Sequence, residues 1–271
     1  MSHMQRSTYE TAYEMIVKAV NSGADGKEIG EDLFGAADLL NANSSLLLAL
    51  TDPSRTTEDK QTLVENVFRS STSSAAFEVM SALVADHWSV PAEYSAALAD
   101  LGLDAHILAA INDDKYDDLC QELIDAQALI ANNRDFRVQL SDVGDGDPRA
   151  RAALARRVFS GHVSKVTERL LSRAAFSTPY GQLLQTLRSY ADRAAAATGK
   201  QLVVAYTAKS LTEEQYYRLA RLASFRWNSA VQLATVVEPS LLGGFRLDAG
   251  DESVDTTVRR DLIAARSVLT R

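Results

Sequence analysis

From residue 9 to about residue 197, apolar side chains recur at spacings of three and four, the period of amphipathic helices. Tyr9, Tyr13, Ile16, Val17 and Val20 form one stripe. Leu33, Ala36, Leu39 and Leu40 form a second, and Leu63, Val64, Val67 and Phe68 a third. The stripes break where caps and turns belong, at Asn21-Ser22-Gly23, Thr51-Asp52-Pro53, Ser71-Thr72-Ser73, 142–148 and Ser177-Thr178-Pro179. After Gly199 the period changes. Residues 200–209 and 230–238 are rich in β-branched side chains and read as strands, the second ended by Pro239, and 241–250 reads as a third. Residues 211–224 read as a helix with Ser210 as N-cap and Glu213 at the capping-box position, and 255–269 as a last helix. The pattern predicts a mainly α chain: two consecutive helical bundles, then a small α/β domain of order β-α-β-β-α.

Two helical stretches read as copies of one another. "EDLFGAADLLNANSSLLLALTD" (31–52) lies over "QELIDAQALIANNRDFRVQLSD" (121–142) at a constant offset of 90 residues. Leu33 matches Leu123, Ala36 matches Ala126, Asn43 matches Asn133, and Leu50-Thr51-Asp52 matches Leu140-Ser141-Asp142. Beyond the next loop "LVENVFRS" (63–70) aligns with "LARRVFSG" (154–161), and "WSVP" (88–91) echoes "FSTP" (176–179). The shared positions are apolar faces, caps and turns, which marks a duplicated helical unit. The helix after Pro91, about 92–111, would close the first copy, while its Tyr94-x3-Leu98 resembles the Tyr9-x3-Tyr13 that opens it. One helix would then serve both bundles and make a rigid, rod-like pair, in keeping with the lack of a Pro/Gly/Ser-rich linker.

Composition narrows the class. The 271 residues are 46% hydrophobic and 24% charged, with 13 Gly and 5 Pro, an ordered and helix-leaning globular make-up. A single cysteine, Cys120, leaves no internal disulfide framework and fits a reducing compartment. The opening "MSHM" reads as a cloning remnant, no secretory signal is recognisable, and no apolar run approaches the ~20 residues of a membrane span. Direct membrane insertion is therefore not expected. Residues 1–93 carry 6 basic and 14 acidic groups, which equals the whole net charge of −8. Such acidity speaks against a nucleic-acid partner. The cluster Arg149, Arg151, Arg156 and Arg157 is the one basic exception, and with Asp142, Asp145 and Asp147 beside it, it reads as a solvated helix face.

Catalytic constellations are missing from the pattern. His87, His106 and His162 are scattered, Cys120 has no ligand-spaced partner, and no Gly-x-Ser-x-Gly elbow occurs, so neither a metal site nor a cofactor is expected. Asp113, Asp114, Asp117 and Asp118 open a helix, where carboxylates suit the positive end, and lack the glycine and final Glu of an EF-hand. Trp88 and Trp227 read as packing residues. Gly243-Gly244 is the only Gly-Gly pair, and a phosphate loop would continue into Lys-Ser/Thr and a helix. Here Phe245-Arg246-Leu247 follows, an apolar-polar-apolar strand, so the pair reads as a bend or close backbone approach. Gly243→Val is accordingly expected to unfold the carboxy-terminal domain.

The stretch "VEPSLLGGFRLDAGDESVDTTVRRDLIAARSVL" resembles the carboxy-terminal signature of the delta subunit of bacterial F-type ATP synthase, the counterpart of the mitochondrial oligomycin-sensitivity-conferring protein. Glu238, Pro239, Leu241, Gly243, Gly244, Phe245, Gly250, Asp251 and Asp255 carry the motif. Glu238 stands where that family usually has Asp, Leu242 where it often has Ile, and Thr257 where it often has Ser. "AYTAKSLTEEQ" is similar to another family segment, and 94–198 resembles the family's six-helix bundle domain. On this reading 199–271 is the small α/β stalk-binding domain and 5–93 an extra duplicated unit, similar to longer actinobacterial forms. Some relatives carry a membrane-anchored b-type segment in front, and this chain shows none.

The resemblance implies a non-catalytic stator subunit at the cytoplasmic face of the cell membrane. It would join the alpha (and beta) subunits of the catalytic head to a b-type peripheral stalk, so that rotor torque drives ATP synthesis coupled to proton transport. It also implies that alpha amino-terminal helices dock in a groove between helices 94–111 and 163–175. The expected lining is Tyr94, Leu98, Leu101, Ala105 and Leu108 on one and Val163, Val166, Leu170 and Ala174 on the other. The alternative is an acidic helical scaffold that binds RNA or a transcription regulator through the Arg149–Arg157 face.

Overall fold

The computed structural model describes residues 3–113, 115–141, 146–179, 181–241 and 243–256. They divide into two compact units, residues 1–114 and 115–271. The first contains α1 (His3–Asn21), α2 (Gly26–Ala42), α3 (Ser44–Thr51), α4 (Thr57–Phe68), α5 (Ser74–Val84) and α6 (Pro91–Asn112). Helix starts are set by side-chain caps: Asp25, Thr56 and Ser73 accept from the amides of Lys27, Asp59 and Ala76. The stripes expected from the sequence close one core, with Ile16, Leu33, Leu40, Leu50, Val64, Met80 and Leu98 buried together. Helices α2 and α6 approach closely because Gly30 and Gly102 face each other's helix. A Cβ at Gly30 would lie 2.5 Å from His106 Cδ2, and one at Gly102 would lie 2.8 Å from Phe34 Cδ1. The imidazole of His106 fills the resulting seam, stacked on Phe34 at 5.3 Å with Nε2 3.3 Å from the Glu31 carboxylate.

The second unit opens with α7 (Tyr116–Asn132), α8 (Arg134–Gln139), α9 (Pro148–Phe159), α10 (Lys165–Ser177) and α11 (Leu183–Ala197). Internal symmetry with the first unit extends to individual hydrogen bonds. Asp32 on α2 accepts the backbone N–H of Ser73, the N-cap of α5, at 2.7 Å. Glu122, 90 residues later on α7, accepts the N–H of Ser164, the N-cap of α10, also at 2.7 Å, and takes a second bond from the Thr167 hydroxyl. Each carboxylate pins the start of one helix to the side of another. Removing it strands a half-buried N–H, so Asp32→Ala and Glu122→Ala should each cost about 1–3 kcal/mol. Thermal or denaturant unfolding measures the loss, and Glu122→Gln, which keeps an acceptor oxygen, should recover much of it. Unchanged midpoints for both alanine variants would mean that the latch is decorative.

The second unit continues with β1 (Gln201–Thr207), α12 (Glu213–Trp227), β2 (Val231–Val237), β3 (Phe245–Ala249) and β4 (Glu252–Asp255). Sheet order is β2-β1-β3-β4, with β1 and β2 parallel through the α12 crossover and the other pairs antiparallel. The sheet is covered on both faces. Val203, Ala205, Leu233 and Leu247 form a core with Leu219 and Ala223 of α12, and α7 and α11 pack on β2 and β1. The edge strand β2 is clamped by a side chain. The Gln121 amide donates to Thr235 O at 2.8 Å and accepts from Thr235 N at 2.9 Å. This satisfies backbone groups that an edge would otherwise expose.

Several expectations need correction. Helix α12 starts at Glu213, capped by Thr212 rather than Ser210, because Thr212 and Gln215 satisfy each other's backbone amides reciprocally. Strand β4 was not expected. It pairs with β3 through a two-residue turn whose first residue, Gly250, has φ +57°, as a II′ hairpin requires. Asp255 closes that strand instead of opening a helix, and the remainder of the helix expected at 255–269 lies outside the described residues. The compact units meet at 114/115, while the expected domain bounds at 93/94 and 198/199 follow the repeat and the change of period. Helix α6 packs against α2, and the sheet packs against α7 and α11.

Candidate partner-binding site

The glycine-containing signature can be built residue by residue. At the end of β2, Glu238 N–H donates to Thr207 O at 2.8 Å. A turn over Pro239-Ser240 is then closed by Leu241 N–H to Glu238 O at 3.0 Å, with the Ser240 hydroxyl on the Glu238 carboxylate at 2.9 Å. Gly243 and Gly244 both have φ +73°, a left-handed conformation that L side chains resist. They reverse the chain into β3 at Phe245. Phe245 is locked to Thr256, whose N–H and hydroxyl both donate to Phe245 O, at 3.0 and 2.8 Å. No helix follows the glycines, so their amides are not gathered at a helix amino end for a phosphate. The pair is a bend.

Arg246 ties the motif together. Its guanidinium lies 4.0 Å from the centre of the Tyr206 ring, 3.3 Å from Asp248 Oδ2 and 3.9 Å from Glu238 Oε2, and it sits opposite Asp255 across the β3–β4 ladder. Gly250 and Asp251 form the hairpin turn beside an open cleft of about 600 Å³ that also meets α11. In that cleft Arg188 bonds Asp192 at 3.1 Å and the Asp248 carbonyl at 3.3 Å. Burial raises the pKa of the Asp192 carboxyl, and Arg188 opposes the rise. A second cavity, of about 490 Å³, is rimmed by Glu238, Pro239 and Ser240 with Tyr206, Gln127 and Leu184. Each cationic group in these clefts already has a carboxylate partner. Among the described residues no cluster of His, Cys, Asp and Glu could hold a metal ion.

The expected helix-groove residues fall in separate units. Tyr94, Leu98, Leu101 and Ala105 are fully buried in the core of the first unit, with Leu108 half-buried at its edge. The Tyr94 phenol is desolvated enough that burial pushes its pKa well up. In the second unit Val166, Leu170 and Ala174 are buried on α10 and Val163 is half-buried just before it. Only Leu108 and Val163 of the nine therefore present side chain to solvent. The basic cluster also divides. Arg149, Arg156 and Arg157 are exposed, but Arg151 is buried and donates to the carbonyls of Ala175 and Phe176 near the end of α10. Periodicity missed the carboxylates of Asp32 and Glu122 and the amide of Gln121, whose partners lie 41 to 114 residues away.

Comparison with known proteins bears on this geometry directly. The family model described as "ATP synthase delta (OSCP) subunit" matches residues 90–269, from the start of α6 through the whole signature segment. This chain belongs to that family. Relatives span the first unit as well. A protein named ATP synthase subunit delta from Frankia alni is 30% identical, over 98% of this chain and 96% of its own length. Its counterpart from a Parafrankia species is 32% identical over 90% of this chain and 88% of the relative, and that from Bifidobacterium longum 31% over 92% and 90%. The actinobacterial resemblance of the longer form is thus matched over nearly the full chain. The family is a structural subunit of the ATP synthase, a membrane-associated complex. Among the described residues α6 alone is long and apolar enough to cross a membrane, and most of it is buried within the protein.

Proposed function

We propose that this protein is the stator connection of an F-type ATP synthase, holding the catalytic head to the peripheral stalk against rotor torque at the cytoplasmic face of the membrane. The observation that carries this reading is the family match over residues 90–269, which contains the folded signature from Glu238 to Asp255. The construction of the second unit suits a load-bearing part. Its sheet is buried on both faces and fastened to α7 by the paired Gln121–Thr235 bonds and to α11 by Arg188 on Asp248 O. Force applied at the sheet therefore passes into the helices without crossing a flexible linker. The chain supplies no chemistry of its own and needs no cofactor.

The helical portions are assigned to the head, where an amphipathic amino-terminal helix of an alpha subunit docks in helix-in-groove fashion. Leu108 and Val163 are the accessible members of the set proposed for that role. The α/β portion is assigned to the b-type stalk. No observation favours the RNA-binding scaffold, and the burial of Arg151 removes a member of the face it would use. A pull-down with isolated catalytic head tests the assignment. The full chain should capture intact head and lose it when the amino-terminal residues of alpha are removed. Failure to capture intact head would sink the reading.

A further inference from the structure

The connection from β2 to β3 passes over the end of β1, because β3 pairs on the side of β1 away from β2. It lies outside the carboxyl ends of the parallel pair β1 and β2, which finish together at Thr207 and Val237. In open α/β sheets that is where the fold leaves a crevice for a ligand. Here it leaves the cavity of about 490 Å³ rimmed by Glu238, a volume within the usual range of small-molecule sites. The walls are built in advance. Ala128 and Ala131 of α7, Leu184 of α11 and Val236 of β2 line them with apolar side chains. The Gln127 amide donates to Leu184 O at 2.7 Å and ties the two helical walls together. Arg246, itself outside the lining, holds the Tyr206 ring in place with its guanidinium 4.0 Å from the ring centre.

A few polar groups break this apolar lining. The Tyr206 hydroxyl and the Asn132 side-chain amide make no hydrogen bond among the described residues, so both can serve a ligand. Glu238 is the one charged residue of the lining. Its carboxylate accepts the Ser240 hydroxyl at 2.9 Å, while the cation beside it, Arg246, stands at 3.9 Å and lies closer to Asp248, at 3.3 Å. Negative charge therefore faces an apolar cavity with incomplete compensation. We propose that this cavity binds a small, flat organic cation, an arylalkylamine whose ring packs between the α7 and β2 walls and whose ammonium bonds the Glu238 carboxylate. A charge-assisted bond of that kind orients the ligand, and the apolar walls supply its burial. An anion of the same shape would meet Glu238 with no cation in the lining to offset the repulsion. The site stands on the second unit alone and is independent of the stator reading.

Tryptamine, titrated into the isotopically labelled full chain and followed by amide chemical shifts, is the probe. For a ligand of about a dozen heavy atoms, saturation is expected at about 1–10 mM. The shifts should gather at Ala128 to Asn132 and at Val236 to Glu238. Tryptophol, the same ring with a hydroxyl in place of the ammonium, should bind at least about threefold more weakly, and the anion indole-3-propionate more weakly again. Glu238→Gln, which keeps an acceptor for the Ser240 hydroxyl, should abolish the advantage of tryptamine over tryptophol. Ala131→Trp, at an exposed position of α7, should fill the cavity and abolish binding of both. Asn132→Lys, which puts a cation beside the cavity, should weaken tryptamine and leave tryptophol unchanged, and it serves where the tryptophan disturbs the fold. No saturable shift around the cavity overturns the proposal, as does tryptamine binding that survives Ala131→Trp in a folded chain. Equal binding of tryptamine and tryptophol overturns the cationic ligand. Shifts spread over the acidic first unit instead would show attraction to net charge only and would overturn the site.

Discussion

Replacing Gly243 with valine should destabilise the second unit by about 1–3 kcal/mol, and replacing both Gly243 and Gly244 should cost roughly twice that. At φ +73° a β-branched side chain crowds the following carbonyl, and no neighbouring residue can take up the strain because two such residues are adjacent. Against a typical domain stability of about 5–15 kcal/mol, the double variant should leave a partly unfolded sheet at room temperature, while the single variant should lower the unfolding midpoint without unfolding the domain outright. That is a smaller effect than the sequence alone suggests. A graded series checks the cause: asparagine, which tolerates the left-handed region, should cost least, alanine more and valine most. Trp227, whose indole bonds Glu252 of β4 at 3.0 Å, reports the sheet by fluorescence. A normally folded Gly243→Val variant that had lost a nucleotide-dependent activity would contradict the structural role given to the glycine.

The second large effect is expected in the first unit. Trp88 is only 2% exposed, meets Tyr94 edge-on at 5.5 Å and donates to Leu83 O at 2.8 Å. Trp88→Ala removes the largest side chain of that core together with its hydrogen bond and should cost about 3–5 kcal/mol. Trp88→Phe should lose less, since most of the apolar contact survives. Because each unit holds one tryptophan, the two can be followed separately. The Trp88→Ala variant should lose the helical signal of the first unit while Trp227 fluorescence still reports a folded sheet. An unchanged melting temperature would mean that the Trp88–Tyr94 contact does not anchor the core.

What could be read from the chain and what could not divides on sequence distance. Helix spacing located the helices of both units, and the 90-residue offset located their duplication, because both signals lie in local periodicity. The same periodicity leaves the role of α6 open. Tyr94, Leu98, Leu101 and Ala105 form a stripe that suits a groove as well as a core, and only packing shows that they are already buried. A repeat marks where sequence was copied, whereas compactness depends on which helix α6 packs against. Strand β4 escaped because Glu252-Ser253-Val254-Asp255 is too short and polar for alternation to show. The latch carboxylates Asp32 and Glu122 aligned in the two copies, but a polar residue on a helix does not announce a partner 41 or 42 residues away. Arg151 looked like its exposed neighbours for the same reason.

Duplication of the latch as well as of the helices has a mechanical meaning. Each copy fixes one helix start by a charged bond to the flank of another, a directional constraint that apolar packing does not provide. A subunit that resists torque benefits from such fixed geometry. Coupling of hydrolysis to proton transport in inverted membrane vesicles stripped of this subunit tests the stator function most directly. Stripped vesicles should still hydrolyse ATP but fail to acidify, and adding back the full chain should restore acidification. Acidification by stripped vesicles without the added chain, or no recovery when the folded chain rebinds, would contradict the stator function.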